Sequence, residues 1–123
     1  MELKIDSRKK ISTIKEEFNA AFPFLRLEFF NHKHRIKNAS PKRDLILKDI
    51  PLNEFKTGKH PNYIEISDEM QVQTLEQMIQ DEFGISMQVF RKSGKSWLET
   101  SVTDDWTLRR QNDEGMELSQ FNR

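Results

Sequence analysis

The sequence predicts an α+β domain built from two tandem βαβ units, and two observations carry that expectation. The first is a doubled hydrophobic pattern. Residues 2–29 and 63–89 each read as an alternating strand, an amphipathic helix and a second alternating strand. At an offset of 61, Leu3 and Ile5 match Ile64 and Ile66, and Ile11, Ile14, Phe18 and Phe22 match Val72, Leu75, Ile79 and Phe83. After a one-residue slip, Leu25, Leu27 and Phe29 match Ile85, Met87 and Val89. Few of the matched residues are identical, so the repeat lies in the spacing of apolar positions. The second observation is size. A chain of 123 residues is one domain by the usual prior. Hydrophobic residues are 35% and charged residues 33%, so the core must be drawn from a subset of the chain.

The elements follow in order. Glu2–Ile5 alternates as a half-buried strand does. Asp6 or Ser7 supplies a side-chain oxygen for the first helix, whose stripe is Ile11, Ile14, Phe18 and Phe22. Pro23 ends that helix, because the residue before a proline is driven out of helical geometry. Leu25, Leu27 and Phe29 make the second strand.

Residues 31–61 contain Pro41, Pro51, Pro61 and Gly58 and break the pattern. They read as a long, basic, mobile insertion, with Leu45–Ile50 extended and Leu52 and Phe55 pinning it to the core. Tyr63–Ile66 opens the second unit, and Ser67 or Asp68 caps its helix. That stripe is Val72, Leu75, Ile79 and Phe83, widened by Met78, and Gly84 supplies a left-handed C-terminal residue. Residues 85–90 and Ser96–Val102 form a hairpin around Gly94. Thr103 or Asp104 then starts a short helix, stapled by Arg109 with Asp113 and Arg110 with Glu114, and stopped by Gly115.

Two right-handed crossovers joined in this way predict the ferredoxin-like βαββαβ arrangement. It is expected to have a long β2–β3 connection, an extra C-terminal hairpin strand and a short terminal helix. One domain over 1–115 and a disordered tail over 116–123 complete the expectation. Using 31–61 as a further strand gives a competing α+β topology. The insertion and the 92–115 hairpin-plus-helix have no counterpart in a plain doubled unit.

Composition excludes several function classes. With no cysteine, the chain has no disulfide, thiol nucleophile or cysteine zinc site. No stretch approaches the ~20 apolar residues of a membrane-spanning helix, and the first ten residues lack an apolar run. A cytoplasmic location without membrane contact is therefore expected. No phosphate-cradling glycine loop is present. Net charge is zero, but residues 1–60 hold 14 basic and 8 acidic residues while residues 61–123 hold 6 and 12. Such asymmetry steers partners.

Strand periodicity puts Lys4, Arg26, Glu28, Phe30, Tyr63, Glu65, Ser86, Gln88 and Phe90 on the face away from the helices. Phe30, Tyr63 and Phe90 become anchors of an open face, and Trp97 and Trp106 an edge cluster. The first expectation is a non-enzymatic protein-interaction module that needs no cofactor, with a protein partner or a homodimer on that face. The alternative is a nucleic-acid binder. Lys33, Arg35, Lys37, Lys42, Arg43 and Lys48 stand against one acid, Asp44, in residues 32–48 and could neutralise phosphates. A metal-dependent enzyme is the second alternative. His32, His34 and His60 could supply imidazoles, and Glu99, Asp104 and Asp105 carboxylates, but no ligand spacing is diagnostic and no catalytic or metal residue is assigned.

Overall fold

A computed structural model describes residues 1–31, 45–56 and 58–121, without the side chains of Gln120 and Phe121. The described chain is α+β. In order it forms β1 (Glu2–Asp6), α1 (Ile11–Ala21), β2 (Leu25–Phe30), a 3-10 turn (Leu52–Glu54), β3 (Tyr63–Ser67), α2 (Val72–Phe83), β4 (Ser86–Ser93), β5 (Ser96–Glu99) and α3 (Leu108–Phe121). The strands make two antiparallel sheets, β1-β3 and β2-β4-β5.

The hydrophobic pattern places the core correctly. Ile5, Leu25, Leu27, Phe29, Ile64, Ile66, Met87 and Val89 are buried with the stripes of α1 and α2 in one cluster. Gly84 takes φ +70° at the end of α2, where the missing Cβ removes the left-handed penalty.

The single sheet of the ferredoxin-like arrangement is corrected. β1 does pair with β3, but β2 pairs with β4 and not with β3. A tight hairpin would force β2 and β3 together, and here residues 31–62 separate them, so nothing local does. Each strand pairs instead with its own counterpart in the other unit. Lys4 is opposite Glu65, the residue 61 positions on. Glu28 is opposite Gln88, at the slipped offset of 60. An antiparallel pair centred on equivalent residues has a local two-fold axis at its centre. Both sheets are therefore centred on pseudo-dyads of the same repeat.

The repeat also extends past the βαβ pattern, which corrects the expectation that 31–61 and 92–115 lack counterparts. Ile11 N donates to Ile50 O at 3.1 Å, and Val72 N to Trp106 O at 3.0 Å. Leu52 N donates to Lys9 O at 3.1 Å, and Leu108 N to Met70 O at 2.9 Å. Asn53 N donates to Ser7 O at 3.0 Å, and Arg109 N to Asp68 O at 2.9 Å. Residues 49–53 and 105–109 thus latch the start of their helices in the same way. Leu52 and Leu108, both fully buried, are the apolar pins of the two latches. Beside β2 and β4, Leu45 bridges Phe30 and Glu99 pairs with Phe90.

The latches explain three further departures. Ser7 and Asp68 do not cap the helices, which begin after Lys10 and Gln71 without a side-chain cap. Their backbone groups already bond the latches and the other unit, as in Ser7 N to Asn62 O at 2.9 Å. The last helix begins at Leu108, within the second latch, and not at Thr103 or Asp104. Gly115 does not stop it, and residues 116–121, expected in a tail, are its second half. Gly115 is a close-approach site. A Cβ there would stand 2.9 Å from the Phe24 Cβ and 3.1 Å from its carbonyl oxygen. Arg109 does not pair along its own helix but reaches Asp68 at 3.0 Å.

Candidate interaction site

β4 is the central strand of its sheet, and the residues of its open face meet those of both neighbours. Arg26 on β2 is directly opposite Phe90 on β4, and Lys92 on β4 is opposite Trp97 on β5. Period-two alternation puts all four on one face. There Arg26, Glu28, Phe30, Leu45, Phe90, Ser96 and Trp97 line a groove of about 530 Å³. The Arg26 guanidinium stands 4.9 Å from the Trp97 ring centre and 5.7 Å from that of Phe90. The Lys92 ammonium is 5.9 Å from the centre of the same Trp97 ring. These cation–π contacts tie the two basic side chains to the aromatic rings of the face. The groove is mainly apolar, with Arg26 and Glu28 of opposite charge in its lining and Lys92 beside Trp97, which suits a partner with apolar and charged groups.

The five aromatic residues singled out in the sequence therefore do not form one surface. Phe30, Phe90 and Trp97 come together in the groove. Tyr63 is on the other sheet, under Lys4 at 4.3 Å and Arg8 at 5.4 Å, with its hydroxyl 3.1 Å from the Arg8 guanidinium. Trp106 lies in the second latch between Arg110, at 3.7 Å, and Arg91, at 5.6 Å. Arg26 and Leu45 were not singled out. The cross-strand pairing of Arg26 with an aromatic is visible only once register is known.

Of the six basic residues of 32–48, only Lys48 is among the described residues, and its side chain is exposed. Lys33, Arg35, Lys37, Lys42 and Arg43 lie outside them, as do His32 and His34. His60 is held by the carbonyls of Glu82, at 3.0 Å, and Lys56, and stacks on Phe83. Among the described residues, no three His, Asp or Glu side chains converge as a metal site would require.

The open face is not wholly open. Ser86 and Gln88 on β4 are buried, and so is Phe30. A second polar feature lies under the hairpin. β5 ends at Glu99, and Thr100 closes the ladder by giving both its N–H and its hydroxyl to Val89 O, at 3.2 and 2.8 Å. The Val89 N–H is taken by the Glu76 carboxyl at 3.0 Å. Glu76 thus completes a ladder that the chain has left, because a buried N–H must find an acceptor. Burial pushes the Glu76 carboxyl up to about 8, against the lowering effect of the Val89 bond and with the added repulsion of Asp104. Asp104 is itself buried, whereas Asp105 is exposed. Glu76 was legible as an anomaly. It sits on the α2 stripe, four residues after Val72 and three before Ile79.

Arg91 on β4 donates to Gln111 on α3 at 3.0 Å, and Gln111 donates to Thr103 O at 2.8 Å, tying helix, sheet and latch together. No membrane-spanning helix is present among the described residues. Comparison with protein-family models, with curated proteins and with solved structures finds no match to this chain.

Proposed function

We propose that this chain is a small cytoplasmic, non-enzymatic interaction module that uses the open face of the β2-β4-β5 sheet, with a second copy of itself as partner. The observation that carries the reading is the groove in which Phe30, Phe90 and Trp97 stand together with Leu45. Phe30 is buried at the base of the groove, while the half-buried Phe90 and Trp97 offer a partner large contact area at low entropic cost, which is why such side chains anchor protein interfaces. The charge distribution favours a second copy. Arg26 and Glu28 line the groove and Lys92 stands beside Trp97, so basic and acidic groups share this face. One molecule therefore presents both signs that an interface needs.

Sedimentation velocity across a wide concentration range tests this. The wild-type chain should move from monomer to dimer, and Phe90→Ser, with an unchanged circular dichroism spectrum, should dimerise at least tenfold more weakly. A wild-type chain that stays monomeric at the highest concentration would overturn the reading.

A further inference from the structure

β5 carries a self-complementary edge. We propose that two copies join by antiparallel pairing of β5 with β5, centred on Trp97, so that two three-stranded sheets become one six-stranded sheet. The inference rests on the self-association reading above and adds to the groove face an edge contact and its register.

Hydrogen-bond parity sets which groups are available. In an antiparallel ladder, bonded pairs recur every second residue. Thr100 bonds to Val89 across the ladder, so the Leu98–Arg91 and Ser96–Ser93 pairs are also the bonded ones. The N–H and C=O of Trp97 and Glu99 then point away from β4. β5 has no strand on that side among the described residues. Ser96, Leu98 and Glu99 are exposed, Leu98 by 45%. An uncovered edge of this kind is a template for another strand.

Centring on Trp97 is the register that uses these outward groups. Trp97 then exchanges both backbone bonds with Trp97 of the second copy. Lys95 falls opposite Glu99, and Glu99 opposite Lys95. Trp97 and Glu99 share a face by strand alternation, and Lys95 is the exposed turn residue that leads into β5, so in this register an aromatic pair is flanked at each end by a Glu99 and the turn lysine of the other copy. A two-fold interface must be complementary to itself, and this short segment is. The chain already pairs strands in this way internally, with Lys4 opposite Glu65 at the centre of β1-β3. Trp97 also lines the groove, so the two grooves become continuous across the new axis.

Charge reversal tests the register. In Lys95→Glu the four facing charges all become acidic, and in Glu99→Lys they all become basic. Each variant alone should dimerise at least tenfold more weakly than wild type. The double variant K95E/E99K should recover wild-type affinity, and an equimolar mixture of the two single variants should form a mixed dimer, read by native mass spectrometry. A wild-type dimer indifferent to all these changes would overturn the β5 pairing while leaving self-association standing. A wild-type chain that never dimerises would overturn both. Loss in the single variants without recovery in the double variant or the mixture would also overturn the pairing.

Discussion

Lys4 and Glu65 face each other across the β1-β3 pair, and each holds the same place in its half of the chain. Glu28 and Gln88 have the same relationship in β2-β4. The doubled pattern is therefore a doubled structure, with a latch at the end of each unit. Leu52 and Leu108 should then be energetic equivalents, since both are fully buried pins. Truncating a buried leucine costs about 2–5 kcal/mol. Leu52→Ala and Leu108→Ala should both fall in that range in urea unfolding, with similar values. A near-neutral Leu52→Ala would show that the first latch does not belong to the core.

Gly115 should resist replacement although it lies within a helix. Alanine is favoured over glycine there by about 1 kcal/mol in intrinsic propensity. Its Cβ would meet Phe24 at 2.9 Å, and overpacking of this kind costs about 1–3 kcal/mol. Thermal melting of Gly115→Ala should show net destabilisation. A raised midpoint would mean that α3 can move away from Phe24 at no cost.

Glu76 should make stability fall as pH rises. Its folded pKa, about 8, lies above the ordinary carboxylate value of 4.5, so the folded state holds the proton more tightly. That contribution is complete below the unfolded value and is lost between about pH 4.5 and 8. A pKa raised by one corresponds to about 1.4 kcal/mol, so the loss amounts to several kcal/mol. Melting midpoints should drop between about pH 4.5 and 8 in the wild-type chain and change much less in Glu76→Gln. Equal pH profiles for the two chains would remove Glu76 as the cause.

The acid side has the opposite sign. The Arg8 side chain, through its hydrogen bonds to Asp6, holds that carboxyl at about 2. Its contribution is present above the unfolded value and disappears as pH falls towards 2. Arg8→Ala should raise the Asp6 pKa towards 3.8, read by carbon-detected NMR titration. An unchanged value would exclude the Arg8 pair as its source.

Much of the scaffold was legible because burial writes a period into the sequence. The stripes of α1 and α2 and the inward residues of β1 to β4 were placed by spacing alone. Strand partners were not, because two antiparallel pairings of the same strands satisfy one pattern, and the long β2–β3 connection removes the turn that would choose between them. The latches were hidden for another reason. They are backbone contacts of short segments, anchored by a single leucine each, and carry no periodicity. The grouping of Phe30 with Phe90 matches the groove, whereas Trp97, expected with Trp106 at an edge, stands beside those two. Tyr63 was separated from them when the sheet divided in two, and Trp106 when its segment became a latch.

The most direct test of self-association by β5 pairing is amide hydrogen exchange of β5 as a function of protein concentration. The Trp97 and Glu99 amides should exchange quickly in dilute solution and become protected as concentration rises. The Leu98 amide, already bonded to β4, should change little. Outward amides that exchange at the same rate at every concentration would contradict it.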